Sequence, residues 1–310
     1  MRVAAVDLGT NTTRLLVADV DDDGRLEEVV RHEAITRLGE RVDRRRILLP
    51  TAITRVRNVL VDYRREAEAL GAERVLAVAT SAVRDADNGE AFLGEVEWSY
   101  GFATRLLSGD EEAELTLAGV TSGRELAPRT LVADIGGGST ELVVVGDGGI
   151  KSAVSTEAGS VRLTERFLAS DPPRGEELAM CEAYVRSLLP RLRVDQAIGV
   201  AGTITTAAAI ELAGAEEVHG HVLTRESVVS LLDRLAELPL EHRRRIRGLA
   251  PLRAPVIVAG LVVLHEILAR YTLDGISVSE RDLLDGVALE AAKLPEPEEG
   301  AAPPGAYVCC

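Results

Sequence analysis

The segment Ala5-Val6-Asp7-Leu8-Gly9-Thr10-Asn11-Thr12-Thr13-Arg14-Leu15-Leu16-Val17 returns later in the chain as Ala133-Asp134-Ile135-Gly136-Gly137-Gly138-Ser139-Thr140-Glu141-Leu142-Val143-Val144. Aligning Asp7 with Asp134 puts Gly9 on Gly136, Thr12 on Ser139, Thr13 on Thr140 and Arg14 on Glu141, with the apolar runs in step behind them. Each copy reads as a buried strand, a tight turn of small residues and a second strand. Using this unit twice predicts two like-built lobes with a cleft between them. A carboxylate that closes a strand, followed by amides unshielded by bulky side chains, suits metal and phosphate.

The flanking pattern extends the repeat. Arg2 to Asp7, Thr13 to Val20 and Arg25 to Thr36 read as strands, with Asp21-Asp22-Asp23-Gly24 as the turn between the last two. Helices and strands then alternate: a helix over Thr51 to Leu70, a strand over Glu73 to Ala79, a helix over Asn88 to Tyr100, a strand over Ala103 to Leu107 and a helix over Gly109 to Val120. From Thr130 the order restarts with strands at Leu131, Thr140 and Ile150, then helices, a strand over Gln196 to Val200, a helix from Thr203 and further helices, with Gly275 to Ser279 as the one strand after those. The expected domains are 1–126 and 127–292, with a disordered tail over 293–310 rich in Pro, Gly, Ala and Glu. A three-strand meander followed by crossover helices, given twice, is similar to the duplicated actin-like, ribonuclease H-like α/β fold. That analogy speaks to architecture and not to function.

Bulk properties narrow the function classes. Aromatics make up 3% of the chain and the formal charge is −15, which disfavours base stacking and the basic footprint of nucleic-acid readers. The longest apolar run, Val256 to Leu264, is too short for a bilayer, so no membrane role is expected. Cys181, Cys309 and Cys310 have neither metal-site nor disulfide spacing, and no secretory signal precedes the first strand; a cytoplasmic protein is the simplest expectation.

Candidate chemistry gathers at the two turns and at two later loops. Asp134 and Glu141 supply oxygen ligands for Mg²⁺, while Gly136, Gly137, Gly138, Ser139 and Thr140 offer donors to an anion. A plain glycine hairpin needs neither the flanking acids nor the echo. In the first copy Thr10 and Asn11 can donate to phosphate, and Arg14 stands where Glu141 stands in the second, either gripping anion or pairing with an acid. Arg84, in the loop after the Glu73 to Ala79 strand, is placed for a bidentate phosphate contact, whereas Asp87 and Asn88 read as helix caps. Ser108-Gly109-Asp110-Glu111-Glu112-Ala113-Glu114 opens a helix with four acids, a position that the helix dipole favours on its own.

Taken in order, Asp7-Leu-Gly-Thr-Asn11, Thr36-Arg37-Leu38-Gly39, Thr80 to Ala86, Ser108 to Ala113, Asp134 to Glu141, Glu157-Ala-Gly-Ser160, Gly202-Thr203 and Val218-His219-Gly220 resemble the exopolyphosphatase and guanosine pentaphosphate phosphatase family. The resemblance runs from Arg2 to about Leu289. It implies removal of the terminal phosphate from inorganic polyphosphate, or of the 5′ γ-phosphate from guanosine pentaphosphate. It puts the catalytic base on Glu112 and the metal and water-positioning acids on Asp134 and Glu141, with Asp7 as a further ligand of Mg²⁺ or Mn²⁺. Phosphate contacts then fall to Asn11, Arg84, Gly202 and Thr203 as well as the turns, with Glu111 and Glu114 as solvated helix acids. A homodimer is expected. The family pattern Arg-Ala-Asp reads Arg253-Ala254-Pro255 here, which removes any role for that acid but suits a helix start. Longer relatives carry a histidine-aspartate domain; no His-Asp pair occurs in this sequence, so short polyphosphate chains are expected.

Two other readings compete. A kinase or ATPase of the same scaffold would use Gly199 to Thr203 for adenosine, yet no P-loop is present and Glu112 favours water as acceptor. A silent sensor would have lost a site acid, and Glu112, Asp134 and Glu141 are all present. His219 and His221 lack a third ligand nearby, and Arg44-Arg45-Arg46 and Arg243-Arg244-Arg245 read first as solvated faces and second as guides for a polyanion.

Overall fold

The computed structural model describes residues 1–122, 125–146, 149–215 and 217–295; the expected tail beyond residue 295 lies outside them. The chain divides into two compact units, Met1–Arg124 with Leu283–Cys310, and Glu125–Asp282.

In the first unit, β1 (Arg2–Leu8), β2 (Thr12–Val20) and β3 (Leu26–Ile35) form an antiparallel meander. There follow α1 (Val42–Arg45), α2 (Pro50–Ala69), β4 (Arg74–Ala79), α3 (Ser81–Arg84), α4 (Gly89–Tyr100), β5 (Ala103–Leu106) and α5 (Gly109–Thr121). β4 lies parallel to β1 and β5 parallel to β4, giving the order β3-β2-β1-β4-β5. Strand alternation sorts β1 into two faces. Ala4, Val6 and Leu8 join the core with Val56, Leu60 and Phe92, while Val3 and Ala5 join Leu16, Ala18 and Leu115 on the other face.

The second unit repeats the plan with β6 (Thr130–Ile135), β7 (Thr140–Gly146) and β8 (Gly149–Thr156), then α6 (Ser160–Phe167), α7 (Gly175–Leu188), β9 (Gln196–Val200) and α8 (Ala201–Glu211). It continues through β10 (Val222–Thr224), α9 (Arg225–Glu237), α10 (Leu240–Arg243), α11 (Ile257–Arg270) and β11 (Gly275–Val278). Its sheet runs β10-β11-β9-β6-β7-β8: the same meander and parallel neighbours as the first unit, plus one antiparallel edge strand. The duplicated α/β architecture expected from the echo is therefore present in strand order. No helix among the described residues is long and apolar enough to cross a membrane.

Three expectations are corrected. The last helix, α12 (Leu283–Ala291), belongs to the first unit rather than to a 127–292 domain. Its Leu284, Val287, Ala288 and Ala291 cover the β1 face that carries Val3 and Ala5, and Gly286 lies so close to α5 that an added Cβ would sit 2.0 Å from the Leu115 carbonyl oxygen. Covering a two-sided sheet, rather than order along the chain, decides where that helix goes. The edge strand β10 has three residues, too few for a period-2 pattern to reveal. Pro255 precedes α11 in a turn instead of sitting within its first residues.

Candidate active site

In the first unit the candidate residues share the carboxyl ends of β1, β4 and β5, where parallel strands of α/β sheets present their binding loops. Asp7 lies directly across from Arg14 in the β1–β2 register. Nε and Nη2 of Arg14 donate to Oδ2 of Asp7 at 3.0 and 2.8 Å. Of the two roles open to Arg14, pairing with an acid is the one observed, and the acid is a buried one. Asp7 accordingly carries a fixed guanidinium on Oδ2.

The turn between these strands is closed by the Gly9 amide donating to the Thr12 carbonyl at 2.9 Å. Its outer carbonyls are tied down by the Thr36 to Gly39 motif: the Thr36 and Arg37 amides donate to Asn11 O at 3.1 and 2.9 Å, and the Gly39 amide to Thr10 O at 2.8 Å. Gly39 is required there, because a Cβ would lie 2.3 Å from Thr10 Cγ2 and 3.1 Å from Ala82 Cβ. With the carbonyls turned one way, the amides of Thr10 and Asn11 donate to no acceptor among the described residues, nor does Oδ1 of buried Asn11 find a partner. Idle donors in a rigid turn are what an anion needs.

The same unit sorts its helix acids by geometry. Ser108 caps α5: its hydroxyl accepts from the Glu111 amide, and Oε2 of Glu111 accepts from the Ser108 amide at 2.9 Å, a complete capping box. The Ser108 amide, Arg105 and the Ser108 hydroxyl pull the Glu111 carboxyl down to about 2. One residue on, Glu112 turns inward and is 6% exposed. Nη1 of Arg84 donates to Leu107 O at 2.6 Å and reaches Oε2 of Glu112 at 3.4 Å. A buried carboxylate steadied by an adjacent arginine, at the same sheet edge as the idle amides, is equipped to take a proton from water. Asn88 is not the side-chain cap expected for α4; its amide group exchanges two hydrogen bonds with the backbone of Leu48, binding the 46–48 segment to the α4 start.

The second unit carries the same turn with different charges. The Gly136 amide donates to Ser139 O at 3.1 Å, matching the Gly9 to Thr12 bond, and Asp134 faces Glu141 where Asp7 faces Arg14. Two buried carboxylates directly opposed on neighbouring strands repel unless a cation or protons intervene. Glu141 Oε1 accepts from Ser155 Oγ at 2.8 Å, which fixes its side chain. Two carboxylates completed by substrate oxygens suit Mg²⁺, and among the described residues no group of three His, Cys, Asp or Glu forms an all-protein cage.

The N-terminus of α6 holds the triple-glycine turn from behind. The Ser160 and Val161 amides donate to Gly136 O and Gly137 O at 3.0 and 2.8 Å, and Nε of buried Arg162 donates to Gly138 O at 2.8 Å. A Cβ on Gly159 would lie 2.2 Å from the Gly138 carbonyl carbon. The amides of Gly137, Gly138 and Ser139 are left without an acceptor among the described residues. Arg162, which braces the turn through Gly138 O, was not singled out in the sequence; its only signal there was its place two residues after Ser160.

Other expected residues are placed differently. Gly202 and Thr203 lie in the first turn of α8, just after Val200, the register partner of Asp134, and the buried Arg253 packs over Gly202, its Nη1 donating to Gly202 O at 2.7 Å. Thr203 packs against Gly260 of α11. His219 exchanges backbone and side-chain hydrogen bonds with Glu280, and His221 pairs with Glu211. Arg243 is buried on Asp171 and is no part of a solvated face. Cys181 is buried, its thiol pushed up to about 12 and hence unreactive.

Comparison with known proteins accords with this arrangement. Exopolyphosphatase 2 of Mycobacterium tuberculosis is 38% identical over 316 residues, covering 94% of this chain and 98% of that protein. The guanosine-5′-triphosphate,3′-diphosphate pyrophosphatase of Vibrio vulnificus is 30% identical, over 93% of this chain and 58% of its own length. Among solved structures, an Aquifex aeolicus member of the Ppx/GppA family superimposes with a TM-score of 0.78 at 33% identity, covering 94% of this chain and 98% of that one. An exopolyphosphatase from Cytophaga hutchinsonii gives 0.85 at 26% identity, covering 92% and 96%. The family model described as Ppx/GppA phosphatase matches residues 16–294, which takes in the second turn and most of both units, while the first turn lies just ahead of the match. Two anion-ready turns, one backed by Asp–Arg and the other by Asp–Glu, thus sit in a chain that belongs to the Ppx/GppA phosphatase family.

Proposed function

We propose that the protein is an exopolyphosphatase, releasing orthophosphate from the end of inorganic polyphosphate by attack of water. The observation that carries this reading is the matched pair of turns whose carbonyls are tied down and whose amides are idle. Exopolyphosphatase names among relatives of high coverage support the substrate class. Phosphoryl transfer needs positioning and charge neutralisation more than covalent help, and no nucleophilic side chain has to be invoked.

Each residue has a definite task in this reading. The amides of Gly137, Gly138 and Ser139, and those of Thr10 and Asn11, hold phosphoryl oxygens through donors that need no reorganisation. Glu112 accepts the proton of the attacking water, and Arg84 orients its carboxylate. Arg14 neutralises Asp7, so that this carboxylate does not repel an anion on the first turn. Asp134 and Glu141 would hold Mg²⁺ or Mn²⁺, whose charge offsets that of the phosphoryl oxygens. Gly202 and Thr203, in the first turn of α8, add further donors to phosphate in this assignment, their helix braced by Arg253 and Gly260.

Guanosine pentaphosphate presents a like phosphoanhydride end, and the Vibrio vulnificus relative favours it as the second substrate. Phosphate release from polyphosphate and guanosine pentaphosphate, side by side, with Mg²⁺ and with chelator, tests the proposal. Metal-dependent release from polyphosphate is expected; activity on neither compound rejects it. A homodimer is the proposed assembly, checked by sedimentation equilibrium.

A further inference from the structure

We propose that residues 37–46 form a distal anion subsite that takes phosphates of a linear polyphosphate beyond its reacting end; this rests on the exopolyphosphatase reading. The segment holds Arg37, Arg41, Arg44, Arg45 and Arg46 against Glu40 and Asp43, a net charge of 5 − 2 = +3 in a chain whose formal charge is −15. Glu40 is engaged by Arg55 at 2.9 Å, which further weakens its effect on an incoming anion.

Its placement ties this charge to the first unit's phosphate loops. At one end the Arg37 and Gly39 amides bond the carbonyls of Asn11 and Thr10, and Arg55 Nη2 donates to Arg37 O at 3.1 Å. At the other end the Arg46 carbonyl accepts from the Asp87 amide at 2.6 Å, just past α3 and Arg84. The segment is therefore a strap from the Thr10–Asn11 turn to the loop that follows Arg84. The proposal places along this strap the later phosphates of a chain whose terminal phosphate lies on the turn amides.

The backbone gives a second, independent argument. Arg37, Arg41 and Arg46 adopt left-handed φ values of 51°, 61° and 57°, where Gly or Asn is cheaper than a long side chain. Three of the seven non-glycine residues with such φ values among the described residues are arginines of this one segment. Arg44, Arg45 and Arg46 are exposed, Arg45 makes no ion pair among the described residues, and the carboxylate of Asp85 is 4.0 Å from Arg46. Guanidinium groups match phosphate oxygens in forked pairs, and no aromatic residue between positions 36 and 48 offers a base-stacking surface. The occupant is thus a polymer of bare phosphate. A strap of this length grips only a few phosphates, so affinity should improve with chain length and then level off.

The test compares the wild type with Arg45→Gln/Arg46→Asn, asparagine being chosen because it tolerates the left-handed backbone at position 46. Steady-state kinetics are measured on tripolyphosphate and on a polyphosphate of about a hundred residues, alongside binding of fluorescently labelled long polyphosphate. The expected result is a rise of roughly tenfold in KM for the long chain, with kcat unchanged and tripolyphosphate kinetics unaltered. The salt dependence of long-chain binding should become shallower by on the order of one ion. Equal losses on both substrates, or no change on either, overturn the subsite. Should the wild type release phosphate from no polyphosphate, the functional reading fails by itself, and unchanged binding of labelled polymer by the variant separately rejects the strap. Arg45→Gln alone, on an exposed helical residue without partners, gives the same readout if the double variant folds poorly.

Discussion

Replacing Gly159 by alanine probes the fit between α6 and the triple-glycine turn. The added Cβ would lie 2.2 Å from the Gly138 carbonyl carbon, 2.3 Å from Gly137 O and 2.4 Å from Gly137 C, all of them backbone atoms with no rotamer to yield. Relieving the shortest of these to an ordinary carbon contact of about 3.5 Å requires a displacement of about 1.3 Å between helix and turn. Overpacking of this kind costs about 1–3 kcal/mol of stability. The same shift loosens the bonds from Ser160, Val161 and Arg162 that hold the turn carbonyls. Misplacing a binding group by about 1 Å costs on the order of a hundredfold in rate, so kcat/KM for polyphosphate should fall about that much while the protein still folds. Thermal unfolding and steady-state phosphate release measure the two effects separately. Gly175→Ala is the control, since nothing lies within 4 Å of a Cβ there and alanine is the better helix residue. Wild-type kcat/KM in Gly159→Ala would refute the argument that this contact shapes the phosphate cradle.

Further expectations follow from single residues. Glu112→Gln keeps the shape of the proposed base without its proton affinity and should lower kcat by about two to four powers of ten with little change in polyphosphate binding; unchanged turnover rejects the assignment. Arg162→Met removes the donor to Gly138 O and should raise KM for polyphosphate more than it lowers Tm, with Arg162→Lys recovering part of the loss; equal KM in all three proteins would show the contact to be structural only. Glu111 has its folded-state pKa depressed to about 2, so the stabilisation it brings is complete above its unfolded value of about 4.3 and is lost as pH falls toward 2. Glu111→Gln should therefore destabilise the protein near neutral pH and flatten the acid limb of its Tm profile, without altering which residue acts as base.

Much of the site could be read along the chain because its parts are local. The Asp7 and Asp134 turns announced themselves by an aspartate, small residues and an apolar strand in fixed spacing, and the structure returns that spacing as one shared register and one shared turn bond. Glu111 and Glu112 are neighbours of equal chemistry in the sequence; only the capping geometry of Ser108 sends one to the surface and the other inward. Arg14 and Glu141 occupy equivalent positions, yet one neutralises its aspartate and the other adds to its charge.

Sequence alone determined the duplicated strand and turn, the helix periods and the acids and arginines that chemistry would need, because hydrophobic alternation and turn composition act over a few residues. Tertiary structure decided that α12 closes the first sheet, that Arg253 packs over Gly202, and that Arg162 and the 37–46 strap brace the phosphate turns. Those outcomes depend on which surfaces remain uncovered and which carbonyls remain unpaired once the sheets have formed, and such demands are met by residues far away along the chain.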